Sequence, residues 1–233
     1  MSRVIGSLGV ILSMAAVLSI EPLSNADDDT PSAYASDPKG WIDLLEAGGP
    51  DLTGWSRGSI PPSGALRAVT PSQWSLDPKS GILRCEGNGG HEWIRWDQEL
   101  TDGIFHVEWR FVPAPGKPGY NSGVYARNSA DGSIWHQAQT GGGNGGYLFA
   151  TTPVDGMARR VSLAKERSSA REKPAGEWNT FELRFQGPEL TLWVNGSVVN
   201  RYSKLEVLKG YVGLEAEGYQ IEFRNVRLKR LDP

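Results

Sequence analysis

Two short segments near the middle of the chain carry polar side chains at the spacing of a β-strand. The first runs from Asn121 to Arg127 and the second from Trp135 to Thr140, followed by a glycine-rich run to Tyr147. Side chains alternate between the two faces of a strand. One face of each strand is therefore predicted to be polar, with these residues: Asn121, Tyr125 and Arg127 in the first and Gln137 and Gln139 in the second. Amide and guanidinium groups on a rigid sheet suit a ligand rich in hydroxyls and carbonyls, which indicates a sugar and argues against a nucleotide cofactor.

The N-terminal residues have the pattern of a secretion signal. Arg3 supplies a positive charge, residues 4–20 are largely apolar, and Ser24-Asn25-Ala26 places small residues before a cleavage point. We predict a signal peptide over residues 1–26, a flexible leader rich in Asp, Ser and Pro over residues 27–39, and a single domain over residues 40–233. No later stretch is long and apolar enough to cross a bilayer. The expected location is the periplasm or the exterior of the cell, with a retained N-terminal anchor as the alternative.

The charge and the cysteine content of the chain exclude one class of binding partner and an internal disulfide. The net charge is −3 and the basic residues are dispersed, which argues against binding to nucleic acid. Cys85 is the single cysteine, so no internal disulfide can form and the thiol is expected to be buried.

The pattern along the chain is that of an all-β protein. Its 29 glycines and 15 prolines punctuate runs of five to nine alternating residues, and there is no convincing amphipathic helix of more than ten residues. The predicted strands are Gly103–Val112, Gly119–Asn128, Ile134–Gln139, Trp178–Gln186, Glu189–Val194, Ser197–Tyr202, Gly210–Glu217 and Gln220–Leu231, with shorter candidates at Trp41–Leu45, Ile82–Glu86, Glu92–Trp96 and Arg160–Ala164. Many short strands around a single core predict an antiparallel β-sandwich with little helix.

Two local features fix details of that sandwich. Asn195-Gly196 between two alternating runs is the favoured pair for a two-residue type I′ hairpin turn. In the last strand the apolar phase changes between Phe223 and Val226, which predicts a bulge or bend near Arg224 and Asn225.

Short motifs follow one another along the chain in a recognisable order. They are Trp41 with Leu44-Leu45, Asp51 to Trp55, Asn121 to Arg127, Trp135 to Gln139, Gly145 to Phe149, Lys173 to Thr180, Val194 to Gly196, Gly213 to Gly218 and Ile221 to Val226. From about Gly40 to Leu231, the chain resembles the bacterial family of secreted 3-keto-disaccharide hydrolases, also described as 3-keto-glucoside 1,2-lyase/hydratase domains. The resemblance implies a concanavalin A-like jelly-roll sandwich, in agreement with the strand pattern.

The resemblance also implies an unusual cleavage of the glycosidic bond. A partner oxidoreductase converts the sugar C3 hydroxyl to a ketone, which makes the C2 proton acidic. A base removes that proton, the C1 substituent is eliminated, and water adds to the product. Such a site needs a general base, stabilisation of the enolate and a proton donor for the leaving group. A divalent metal ion beside the C3 oxygen is a further expectation.

Glu217 is the first candidate for the base or for a metal ligand. It lies where the family often carries His or Glu, and by strand parity it shares a face with Glu215. The alternative is that both are ordinary solvent-facing carboxylates.

Arg127 and Asn121 could act on the same polar face. Arg127 could hold a carboxylate of the site or the enolate oxygen, or could form a structural ion pair across the sheet. Asn121 could bind substrate, or could be a turn residue that bonds its own backbone.

The glutamines depart from the family pattern. Many relatives carry a glutamate in the strand where this chain has Gln137 and Gln139, and glutamine cannot accept the C2 proton. This shifts the base role towards Glu217 or Glu108 and makes a binding-only role more credible. His136 and Glu108 are weaker candidates for metal ligands: parity favours His136 as a core histidine, and Glu108 lies two residues from His106 on a polar face.

The sequence thus predicts a carbohydrate-active enzyme that cleaves 3-keto-glycosides, with a lectin-like module on the same sandwich as the alternative. Four tryptophans in or near predicted loops could stack on a sugar ring. They are Trp55, Trp74, Trp93 and Trp96.

Overall fold

The structure is a computed structural model that describes residues 29–62, 66–67, 71–117 and 119–231. The predicted signal peptide, residues 1–26, lies outside the described residues. Within them no helix is long and apolar enough to cross a membrane.

Sixteen strands and two short helices make up the part of the chain that the structure describes. The helices are α1 (Ala33–Ser36) and α2 (Leu44–Gly48). The strands are β1 (Ile42–Asp43), β2 (Trp55–Ser59), β3 (Leu66–Arg67), β4 (Trp74–Asp77), β5 (Ile82–Cys85), β6 (Glu92–Trp96), β7 (Gly103–Phe111), β8 (Ser122–Asn128), β9 (Trp135–Thr140), β10 (Tyr147–Val154), β11 (Met157–Ser162), β12 (Asn179–Gln186), β13 (Glu189–Val194), β14 (Ser197–Tyr202), β15 (Tyr211–Ala216) and β16 (Ile221–Arg230).

The strands form two antiparallel sheets. Sheet A has the order β14-β13-β12-β7-β16-β5-β4, with β1 paired to β16, and sheet B has the order β11-β10-β9-β8-β15-β6-β2-β3. The all-β prediction is confirmed, and so are the eight longer strands. The sequence analysis did not predict β2, β3, β4 or β10, and part of the Trp41–Leu45 candidate is helical, because Asp43 caps the N-terminus of α2.

The core lies between the two sheets. Phe105, Val107, Trp109 and Phe111 of β7 are all at most 1% exposed, as strict alternation predicts. Sheet B supplies the facing side chains, among them Val124, Ala138, Leu148, Val212 and Leu214. The opposite side chains of β8, β9 and β15 therefore point to the outer face of sheet B.

Both predicted irregularities are present. Asn195 and Gly196 have positive φ values of 42° and 110°, and Val194 pairs with Ser197 across the turn. The ladder between β16 and β7 shifts register between Arg224 and Arg227, with Asn225 at φ 47°.

Residues 29–39, which their composition predicts to be part of a flexible leader, contact sheet A through α1. The Glu182 carboxylate accepts hydrogen bonds from the backbone N–H groups of Ala33 and Tyr34, at 2.7 and 3.0 Å. The Tyr34 ring packs against His106 with centroids 5.1 Å apart. The segment has few apolar residues to bury, but the free N–H groups at the start of α1 bind a carboxylate on sheet A. A polar contact of this kind produces no apolar periodicity, so the sequence pattern does not predict it.

Cys85 offers a simple test of the core. Burial raises the pKa of its thiol to about 12, and the thiolate is the reactive form of cysteine. We expect no reaction with a disulfide reagent at pH 8 in the native protein and complete reaction after unfolding in denaturant, both followed by absorbance. Fast labelling of the native protein would contradict this placement of β5.

Candidate active site

A pocket of about 260 Å³ lies on the outer face of sheet B. Its volume is close to the lower end of small-molecule sites, so it can hold one small ligand or one end of a larger one. Its lining residues are Ile60, Pro61, Pro62, His91, Asn121, Tyr125, Trp135, Gln137, Gln139, Phe149, Arg160, Glu215 and Glu217.

Strand register brings the polar residues together. In the ladder of β8 with β9, Tyr125 pairs with Gln137 and Gly123 pairs with Gln139. Strand β15 lies on the other side of β8, where Gly213 pairs with Tyr125. Because the side-chain period of a strand is two, Glu215 and the following Glu217 share the face of Tyr125 and the glutamines. The structure therefore brings these side chains to one face of sheet B.

Glu215 is the centre of the hydrogen-bond network. Its Oε1 accepts from the Tyr125 hydroxyl at 2.6 Å, and its Oε2 accepts from Gln137 Nε2 at 2.9 Å. The side chain is 4% exposed, which excludes the alternative of a solvent-facing carboxylate. Burial, followed by the negative charge of Glu215, raises the pKa of Tyr125 well above its usual value, so the phenol stays protonated and remains a donor.

Glu217 is the accessible carboxylate of the pocket. Its side chain is 36% exposed, and its Oε2 accepts a hydrogen bond from Asn121 Nδ2 at 2.5 Å. Asn121 in turn accepts from Gln139 Nε2, so its amide bonds other side chains of the pocket and not its own backbone. Burial, and then repulsion from Glu215, raise the pKa of Glu217 above the ordinary value of a glutamate.

His91 joins the two carboxylates, although the sequence gave no reason to select it. Its Nε2 lies 2.9 Å from Glu215 Oε1 and 3.8 Å from Glu217 Oε2. The hydrogen bond to Glu215 raises the pKa of His91 above the ordinary value of histidine. His91 immediately precedes β6, which pairs with β15. Only knowledge of that pairing could have placed it opposite the glutamates.

These three side chains fit the divalent metal ion expected for the site. Their ligand atoms all lie within 4.8 Å of one another. One imidazole nitrogen and two carboxylates form a donor set that transition-metal ions accept. The part of the pocket that holds these three side chains has more carboxylates than cationic groups, which favours a positively charged ligand.

Arg127 does not lie in the pocket, and its predicted place beside Tyr125 is wrong. The ladder of β8 with β15 shifts register between Tyr211 and Gly213, and Arg127 has a positive φ of 51°. This bulge reverses the parity, so the guanidinium turns away and bonds Thr101 O at 2.7 Å and Asp102 Oδ1 at 2.7 Å. It is the structural ion pair that was the alternative interpretation.

The two weaker metal candidates also lie elsewhere. His136 is 1% exposed and its Nε2 lies 2.8 Å from Thr152 Oγ1. Burial lowers its pKa to about 4, so it is the core histidine that parity favoured. Glu108 lies on sheet A, where it accepts from Arg224 Nε at 2.7 Å; it is excluded as a base of this pocket.

The aromatic residues of the pocket differ from those proposed for sugar stacking. The four candidates are all buried, at 6%, 3%, 1% and 7% exposure for Trp55, Trp74, Trp93 and Trp96. Trp135 and Phe149 line the pocket instead, on β9 and on the unpredicted β10. The four tryptophans lie in the short strands β2, β4 and β6, and the sequence analysis had placed them in or near loops.

Gly123 leaves the space that Gln137 occupies. A Cβ atom at this position would lie 2.3 Å from Gln137 Nε2. We expect Gly123→Ala to displace Gln137 from Glu215. Since a hydrogen bond to a charged group contributes about 1.5–3 kcal/mol, any activity of the pocket should fall about tenfold or more. The measurement is the specificity constant, with Gln137→Ala as the reference: in that background, Gly123→Ala should have little further effect. A full effect in both backgrounds would contradict this account.

Comparison with known protein families tests the family resemblance that the sequence motifs indicated. The family model described as a 3-keto-alpha-glucoside-1,2-lyase-like domain matches residues 40–229. The chain belongs to this family. Every residue assigned to the pocket lies within the matched range. Comparison with curated proteins finds no significant match.

Solved structures share the fold of this family member at low identity. A putative glycosyl hydrolase from Parabacteroides distasonis has a TM-score of 0.59 and 16% identity, covering 88% of this chain and 100% of that one. The carbohydrate-binding module CBM66 from Bacillus subtilis has a TM-score of 0.53 and 13% identity, covering 76% and 95%. An alginate lyase has a TM-score of 0.54 and 11% identity, covering 82% and 100%. These likenesses concern the fold, and the predicted jelly-roll sandwich is confirmed.

Proposed function

We propose that this protein cleaves 3-keto-glycosides by removing the C2 proton and eliminating the C1 substituent, after which water adds to the product. The observation that carries the proposal is the pocket itself. In a member of the 3-keto-glucoside lyase-like family, His91, Glu215 and Glu217 converge beside the amides of Asn121, Gln137 and Gln139. Carboxylates supply proton transfer, and amides bind the hydroxyl and carbonyl oxygens of an oxidised sugar.

Glu217 is the residue that we assign as the general base. It is the more exposed of the two carboxylates, at 36% against 4%, so it is the more accessible to a ligand. As it takes the C2 proton, the electrons of the C–H bond move into the C2–C3 bond and the C3 ketone becomes an enolate. When the ketone re-forms, that electron pair makes the C1–C2 double bond and the C1–O bond breaks. The proton on Glu217 is then available to the departing oxygen. Asn121 holds the carboxylate in place through its hydrogen bond.

His91 and Glu215 are the residues that would hold a divalent metal ion, with Glu217 beside them. When bound, the ion would supply positive charge beside the C3 oxygen, where negative charge develops. Tyr125 and Gln137 each donate to Glu215 and so fix the direction of its carboxylate. Partners of this kind orient the ligands of a metal site.

The substrate of this reaction must first be oxidised at C3. The proposal therefore places the protein in sequence with a sugar 3-oxidoreductase, in the periplasm or outside the cell, as the signal-like N-terminal sequence indicates.

The direct test is incubation of the purified protein with a 3-keto-glucoside, with and without a chelator. We expect 3-keto-glucose and free aglycone, formed more slowly after chelation and at the original rate after a divalent ion is restored. A lectin-like module would instead bind unoxidised sugars and leave the ketone substrate intact. That result would overturn the proposed function.

A further inference from the structure

Arg160 lies across the pocket from the carboxylates. It extends from β11, four strands away from the β15 strand that carries Glu215, and both residues line the same pocket. Its guanidinium carbon lies 4.7 Å from the centroid of the Trp135 ring and 4.5 Å from that of Phe149. The pocket therefore has an acidic end and a basic, aromatic end.

Arg160 carries a charge that no ion pair neutralises among the described residues. Its polar contact is a hydrogen bond from Nη1 to Thr151 Oγ1 at 3.0 Å. Within the part of the chain that the structure describes, no carboxylate pairs with it, whereas Arg57 and Arg127 are both paired. An arginine whose guanidinium lies over aromatic rings can still direct N–H groups to a carboxylate.

We propose that Arg160 is a specificity-determining residue that binds a carboxylate on the leaving portion of the substrate. This inference rests on the proposed function. The oxidised ring must lie at the end of the pocket where Glu217 can reach C2. The group across the glycosidic bond then extends towards Trp135, Phe149 and Arg160. An apolar or aromatic spacer suits the two rings, and a carboxylate suits the guanidinium.

The experiment compares two substrates that differ in one charge. They are the 3-keto-glucoside of 4-hydroxybenzoate and that of its neutral methyl ester, in the anomeric form that the wild-type protein accepts. We expect Arg160→Gln to lower kcat/KM for the acid about 10- to 100-fold, mainly through KM, and to change that for the ester little. Arg160→Lys should recover part of the preference. Comparing the variants on each substrate cancels the intrinsic difference between the two leaving groups.

Arg159 supplies the matched control. It is an exposed arginine next to Arg160, and strand alternation directs it to the opposite face of β11. Arg159→Gln should leave the preference for the acid unchanged, and thermal unfolding should show that each variant is folded. If Arg160→Gln affects acid and ester equally, or if Arg159→Gln has the same selective effect, the inference is wrong while the proposed function stands. If the wild-type protein cleaves neither glycoside nor any other 3-keto-glucoside, the proposed function fails, and the inference fails with it.

Discussion

Glu217→Gln should abolish most turnover of a 3-keto-glucoside while leaving its binding largely intact. General-base catalysis contributes about 10²- to 10⁴-fold, and an amide cannot accept the C2 proton. The amide oxygen can still accept the hydrogen bond that Asn121 donates to Glu217, so the shape of the pocket is preserved. The loss should therefore be in kcat with KM changed little. Product formation at saturating substrate is the measurement.

A second readout isolates the proton transfer. In deuterated water the wild-type protein should exchange the C2 hydrogen of a bound 3-keto sugar, and Glu217→Gln should not. Glu166 is exposed and lies outside the pocket, so Glu166→Gln is the matched control and should behave as wild type. Retention of exchange and turnover in Glu217→Gln would remove Glu217 as the base.

Strand periodicity and family motifs were sufficient to predict the polar face of the pocket. By parity Asn121 and Tyr125 share a face, as do Gln137 and Gln139, and also Glu215 and Glu217, and all six side chains line the pocket. The sequence did not predict how deeply each of these side chains is buried. Glu215 and Glu217 have equal parity, yet Glu215 is enclosed by Tyr125, Gln137 and His91, whereas the Glu217 side chain is 36% exposed.

Strand periodicity did not predict the positions of Arg127 and His91. The bulge at Arg127 changes which face receives the side chain, and its sequence contains no glycine or proline to announce it. His91 enters the site through the pairing of β6 with β15, across 124 residues of chain. Local periodicity describes how one strand is pleated; it does not describe which strand lies beside it.

Glu92 also acts on the pocket through contacts between distant parts of the chain. It precedes most of the pocket residues in the sequence, and it lies in the interior below them. Its side chain is fully buried and accepts a bidentate pair of hydrogen bonds from Arg57, both at 2.8 Å. Gln73 Nε2 donates to the same carboxylate at 2.7 Å and to the carbonyl oxygen of Gly90 at 3.0 Å. The network therefore fixes the loop that ends at His91.

Glu92→Gln should lower the free energy of unfolding by about 3–5 kcal/mol, because it leaves the buried guanidinium of Arg57 without its counter-charge. Urea denaturation measures the change. The matched control is Glu189→Gln, which removes the partner of Arg201 in a pair whose side chains are 39% and 52% exposed; its cost should stay below about 1 kcal/mol. Equal costs for the two variants would contradict the role of the buried pair. If Glu92→Gln also lowers turnover under conditions where the protein stays folded, the loss can be traced to the displaced loop, since Glu92 itself does not line the pocket.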